Sequence, residues 1–216
     1  MIWWFAFLCA LMATVPLGMV LWNLCYYRRL PTWRQEALTE ARPRVSLLIP
    51  ARNEEAAIDA ALEAAVASVG VDLQVIVLDD HSEDRTAERV HAWTERDARI
   101  QLAHAPELPP GWCGKQHACW TLAQLAQHDI LAWIDADVRL APTALAQMAR
   151  HLRTRRMGLV SGIPRQLTQT WMEWLIIPLI HFVLLGFLPM ARMRRSAHPA
   201  YGAGCGQLFM ADRSAY

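Results

Sequence analysis

The sequence predicts an α/β domain on a mostly parallel sheet with helices on both faces, and three observations lead there. Short runs that are apolar throughout recur along the chain. Amphipathic stretches of helical length separate them, and the acidic residues that break the pattern fall just after the apolar runs. Strands buried on both faces read as continuous apolar segments, not as an in–out alternation, while the helices between them keep an apolar stripe. An N-terminal transmembrane helix and a second apolar, interfacial helical segment stand outside this alternation.

From the start, residues 2–27 carry no charge and are followed at once by Arg28 and Arg29, with Arg34 close behind. A spanning helix needs about 20 mostly apolar residues, and Trp3, Trp4, Trp22, Tyr26 and Tyr27 bracket the run as interfacial aromatics do. A cleaved signal peptide would carry its positive charge ahead of the apolar core; here the charge lies behind. Residues 1–27 are thus expected to anchor the protein in the cell membrane, with the rest on the cytoplasmic side. Residues 28–42 read as a polar linker, Pro31 and Pro43 interrupting any helix.

The domain proper is expected over residues 43–216. Residues 45–50 (VSLLIP) have strand length, 54–68 are Ala-rich with helical spacing, and 73–78 (LQVIVL) form a second strand ending in Asp79-Asp80. Residues 85–96 follow as a helix with Ser82 placed to cap it. A weak third strand (100–103), a helix (116–127), a strand (130–134), a helix opened by Pro142 and ending at 154, and a last strand at 157–163 complete the series. Residues 171–190 are apolar, with Glu173 and one His inside and Arg192, Arg194 and Arg195 behind. Pro178 divides the run, so two short helices lying at the membrane interface are expected within 168–195; a second span is the competing reading.

Composition narrows the function. Lys and Arg total 21 against 20 Asp and Glu, which leaves no basic field for nucleic acid. Arg150, Arg153, Arg155 and Arg156 suit a helix C-terminus and anionic headgroups better than a nucleic acid. Five cysteines without paired spacing read as reduced thiols. His104, Cys113, His117 and Cys119 lack the close pairs of a structural zinc site.

The carboxyl ends of parallel strands are where ligands bind in such sheets. Arg52, Asn53, Glu54 and Glu55 follow the first strand, Asp79, Asp80, Ser82 and Asp84 the second, and Asp135 and Asp137 the fourth. So many carboxylates on one rim repel each other unless cations or donor groups lie between them. Glu54, Glu55 and Asp84 have an equally good purely local use at helix N-termini. In Ile130–Asp137 (ILAWIDAD) two carboxylates at i and i+2 on an extended backbone would point the same way. Hard divalent cations take such oxygens together with substrate phosphates. A phosphatase of the DxDx[TV] type is excluded by Arg139 at the fifth position and by the late place of the motif.

Three motifs in order, PxVSLLIPARNEE at 43–55, VIVLDDHSEDRT at 75–86 and DILAWIDADVRL at 129–140, resemble glycosyltransferase family 2 and its Rossmann-like GT-A fold. Residues 108–118 (LPPGWCGKQHA) are similar to the GWxGK tract of the membrane-bound subgroup that glycosylates hopanoids, carotenoids and ceramides, and 201–216 are similar to its GxGQxxLxxRxAY strand. The resemblance implies that Ala51, Arg52 and Glu54 contact the base or ribose. It implies that Asp79 and Asp80 belong to the donor site, Asp80 reading the uracil edge, and that Asp135 faces the ribose and, with Asp137, holds Mn²⁺ or Mg²⁺. Lys115, the only lysine in the chain, would neutralise the diphosphate.

The implied activity is transfer of a sugar from an NDP-sugar, UDP-linked by the family pattern, to a lipid acceptor at the cytoplasmic membrane face. No nucleic acid and no obligate protein partner is implied. The family's general base is an Asp of a Glu-Asp pair after the GQxxLxxR strand, expected beyond Tyr216, so 43–216 is expected to be an incomplete domain; Asp212 stands where the family has a nonacidic residue. The alternative is a non-catalytic nucleotide-sugar-binding membrane protein.

Overall fold

In the computed structural model, every residue is described except 28–29, 31–40, 156 and 197. Most of the expected linker, with Arg28, Arg29, Pro31 and Arg34, and also Arg156, thus lie outside the described residues. The chain divides into two compact units, one of residues 30–164 with 204–216, the other of residues 1–29 with 165–203.

The first unit holds a six-stranded sheet in the order β3-β2-β1-β4-β6-β5. Its strands are β1 (Arg44–Ala51), β2 (Asp72–Asp79), β3 (Ile100–His104), β4 (Ile130–Ile134), β5 (Leu159–Ser161) and β6 (Leu208–Asp212). β1 pairs in parallel with β2 and with β4, and β2 with β3. β6 runs antiparallel between β4 and β5, so the sheet is mixed with a parallel core. The run at 157–163 does not close the sheet beside β4. Only its middle is strand, and the C-terminal segment takes the place next to β4.

Alternation along the strands gives each face its helices. Val45, Leu47 and Ile49 pack with Ile58 and Leu62 of α2 (Ile58–Val66), Val90 of α3 (Thr86–Thr94) and Leu145 and Met148 of α5 (Ala144–Thr154). Leu48, Ile76, Leu131 and Trp133 face the other way, onto Ala118 and Leu122 of α4 (Gly114–Leu125). Both faces are covered, which is why the strands carry no exposed side and show no alternation in sequence. At the amino ends of the strands the buried Ser46 hydroxyl donates to Gln74 Oε1 (2.6 Å) and accepts from the His128 backbone (3.1 Å), so these polar side chains are satisfied inside the layer.

The helix after β1 starts later than its Ala-rich spacing predicts. Residues 53–57 are spent on a turn: Asn53, with φ of 56°, accepts from Glu83 N, and Glu55 N donates to Asp84 Oδ2. Ser82 does not cap α3 either. Its hydroxyl accepts from Asn53 N, and Asp84 takes the Thr86 backbone N–H instead (2.9 Å). These are bonds between two loops about thirty residues apart, which no local pattern reveals.

The second unit contains α1 (Ile2–Leu24), long and apolar enough to cross a membrane, and α6 (Trp171–Ile176), α7 (Pro178–Phe187) and α8 (Met190–Met193). Pro178 opens α7, where its missing N–H costs nothing, and a Thr170–Glu173 capping box opens α6. α7 packs on α1. A side chain on Gly186 would meet Pro16 at 3.4 Å, and the buried Asn23 donates from Nδ2 to the carbonyls of Leu185 (2.7 Å) and Leu188 (2.6 Å). Those carbonyls end a helix and have no partner within it, so a polar residue in an apolar helix has a structural use.

Candidate donor and metal site

The carboxyl ends of β1, β2 and β4 open on the same edge because these strands are parallel. Ala51 closes β1, buried, and its carbonyl accepts from Asp80 N (2.8 Å). Its contribution is main-chain and positions the acid that follows. Arg52 comes next on the turn and is exposed. The Glu54 N–H is held by Thr86 Oγ1 (2.8 Å). Its carboxyl is raised above its usual range, first by burial and then by the charges of Asp137, Asp135 and Asp84, with Lys115 opposing. Strands β1 and β4 thus bring Glu54, Asp135 and Asp137 within electrostatic reach of one another.

Asp79 and Asp80 part company. Asp79, at the end of β2, is buried, with Oδ2 3.6 Å from His104 Nδ1 across the β2–β3 register and Oδ1 without a hydrogen-bond partner among the described residues. A buried carboxylate oxygen without a donor is costly. Asp80 lies half-exposed beyond the strand, and a Cβ on Gly114 would sit 3.6 Å from its Oδ2. The amino end of α4 is therefore pressed against Asp80, its free N–H groups near the acidic rim, where helix N-termini favour anions.

Asp135 and Asp137 do not lie on extended backbone. β4 ends at Ile134, and a turn closed by Val138 N to Asp135 O (3.0 Å) carries both. The buried Ala136 and Val138 fold the chain back toward the core and force that turn. The side chains accordingly differ: Asp135 is three-quarters buried, whereas Asp137 is exposed. Lys115 Nζ donates to Asp135 Oδ1 at 2.6 Å. Burial pulls the lysine pKa down, but the hydrogen bond and charge of Asp135, with Cys119 and Asp137, leave it raised.

Asp84 takes the local role that was open to it, at the start of α3, while Glu55 is used between the loops after β1 and β2. Asp84 accepts from Glu55 and Thr86, and Glu55 Oε2 accepts from Arg85 N (3.0 Å). These hydrogen bonds from Thr86 and the Glu55 backbone hold the Asp84 carboxyl below its usual range against a desolvation effect of opposite sign. His104 and Thr86 are the members of this region that the sequence reading did not assign to the donor site. His104 would have been visible only from the β2–β3 register, and Thr86 only from the bond to Glu54. Among the described residues no three His, Cys, Asp or Glu side chains are grouped as a ready-made metal cage. The donor set is instead two carboxylates on one turn with a third nearby, which suits a hard cation that completes its shell with ligand phosphate oxygens.

The chain has relatives among known proteins. It is 34% identical over 129 residues to 4,4'-diaponeurosporenoate glycosyltransferase of Staphylococcus haemolyticus (59% of this chain, 33% of that one). It is 35% identical over 109 residues to undecaprenyl-phosphate 4-deoxy-4-formamido-L-arabinose transferase of Pseudomonas paraeruginosa (48% and 31%). The chain spans about a third of the length of these relatives. A solved mannosyltransferase from Pyrobaculum calidifontis, in complex with GDP-Man and Mn²⁺, superposes with a TM-score of 0.68 at 24% identity, over 96% of this chain and 55% of that one, a likeness of fold. The family model described as glycosyl transferase family 2 matches residues 46–216, and the chain belongs to that family.

Proposed function

We propose that this protein transfers a sugar from a nucleoside-diphosphate sugar, UDP-linked, to a lipid acceptor at the cytoplasmic face of the membrane. The observation that carries the reading is the meeting of Glu54, Asp135, Asp137 and Lys115 at one sheet edge beside the amino end of α4. That arrangement has both kinds of partner a diphosphate sugar needs: an ammonium and helix N–H groups for phosphate oxygens, and carboxylates for a cation and for hydroxyls. The names of two relatives supply the acceptor class, one polyprenyl phosphate and one diaponeurosporenoate. α1 and the apolar 168–195 segment supply the membrane attachment, α1 as a span and α6–α7 at the interface.

Asp80 binds the base edge, and the orphaned Asp79 Oδ1 is satisfied by a ligand N–H or an ordered water. Arg52 and Glu54 flank the base and ribose. Asp137, with Asp135, would hold Mn²⁺ or Mg²⁺, which supplies charge neutralisation of the departing diphosphate when bound. An acceptor hydroxyl attacking the anomeric carbon gives its proton to a carboxylate, whereas a phosphate or carboxylate acceptor attacks as the anion.

Membranes from cells expressing the whole open reading frame should move label from a radioactive UDP-sugar into an organic-extractable product, and Asp137→Ala should abolish this. Label that stays water-soluble with UDP-sugars and GDP-sugars alike, against a membrane lipid extract, would contradict the proposal.

A further inference from the structure

Lys115 is exposed, yet its ammonium already has a partner. Its ammonium lies 2.6 Å from Asp135 Oδ1, and Asp135 is the better buried of the two acids assigned to the metal. The pair links the first turn of α4 to the turn after β4, twenty residues apart. Glu54, in the turn after β1, and Asp137, on the same turn as Asp135, lie within electrostatic reach of the pair. A free divalent cation taking Asp135 Oδ1 would have to displace the ammonium, and one taking Oδ2 would sit beside it as a like charge.

We propose that Lys115 keeps Asp135 closed to metal until a nucleoside diphosphate arrives, so that metal and nucleotide enter together. A diphosphate offers Lys115 a stronger anionic partner than one carboxylate. When the ammonium turns to the phosphate oxygens, Asp135 is released to the cation, and the same movement removes the repulsion between the two positive charges. Lys115 is thus a positioning residue for the cation as well as a phosphate ligand. The inference rests on the donor-site reading above and adds an order to it: weak metal binding alone, strong binding with nucleotide.

The test is Mn²⁺ binding to the full chain in detergent micelles, followed by electron paramagnetic resonance of the free ion, with and without UDP. Wild-type protein should bind Mn²⁺ weakly alone and more tightly with UDP. Lys115→Gln should bind Mn²⁺ alone about fivefold more tightly, the upper end for a half-exposed ion pair, while binding UDP·Mn²⁺ less well. Lys115→Arg, which keeps a cation beside Asp135, should behave as wild type toward Mn²⁺ alone. Lys115→Gln protein with native circular dichroism that binds Mn²⁺ alone no better than wild type would overturn the gate. That result would leave the donor reading intact if UDP still tightens Mn²⁺ in wild-type protein. Absence of any UDP effect on Mn²⁺ in wild-type protein would overturn both.

Discussion

At Glu54 two effects push the same way. Burial disfavours its charge, and Asp137, Asp135 and Asp84 repel it, so its carboxyl titrates above the ordinary 4.5. For an acid the sign is clear: a raised folded-state pKa means that stability falls as pH rises from the ordinary value through the raised one. Glu54→Gln should therefore raise the melting temperature at neutral pH, by about 1–2 °C if the charge cost is under ~1 kcal/mol. The gain should vanish below the ordinary carboxylate range, where both side chains are neutral; thermal melts at pH 4 and pH 7.5 measure it. An equal gain at both values would mean the charge of Glu54 is not the cause. Asp80 makes a separate prediction. Because Asp80 is the acid proposed to read the base, Asp80→Ala should weaken UDP roughly 10- to 100-fold, the loss of a hydrogen bond to a charged group. The loss should be the same in Mn²⁺ and in chelator, as calorimetry would show.

Among the elements, those that depend only on burial were the most legible. β4 matches its predicted bounds because all five residues are apolar and an acid follows at once. β1 and β2 differ from expectation by one residue at each end. The failures have a common cause. Residues 54–57 leave the helix, and Ser82 leaves its cap, because the loops after β1 and β2 bond to each other across about thirty residues. The mixed part of the sheet was hidden for the same reason, since β6 reaches β4 from nearly eighty residues away. In the candidate site the residue types were legible and their partners were not. Neither the Lys115–Asp135 pair nor the Asp79–His104 approach has a local signature.

The packing of α7 on α1 was also illegible, and it makes its own prediction. Gly186→Leu should force α1 and α7 apart at Pro16, an overpacking cost of about 1–3 kcal/mol. Limited proteolysis of membranes carrying the variant should cut within 165–203 faster than in wild type, while Gly186→Ala, whose methyl meets Pro16 at 3.4 Å, should show a smaller effect. Removal of residues 1–30 should leave the protein on membranes through the apolar 168–195 segment. Carbonate should then wash it off if that segment lies at the interface. Protein that stays in the pellet at high pH would make the segment a span.

For the molecule as a whole, the sheet does one thing for function: parallel β1, β2 and β4 deliver acids from three places in sequence to one edge. Their mutual repulsion is eased by donor groups and positive charge among them, and Lys115 supplies part of that charge without ligand. This edge is proposed to bind a nucleoside diphosphate through a metal held by the acids after β4. Calorimetry of UDP binding to the full chain, in Mn²⁺ and then in chelator, is the sharpest test. Binding should be tighter with Mn²⁺ in wild-type protein and the same in the two conditions in Asp137→Ala. Equal UDP affinity with and without Mn²⁺ in the wild-type protein would contradict the proposal.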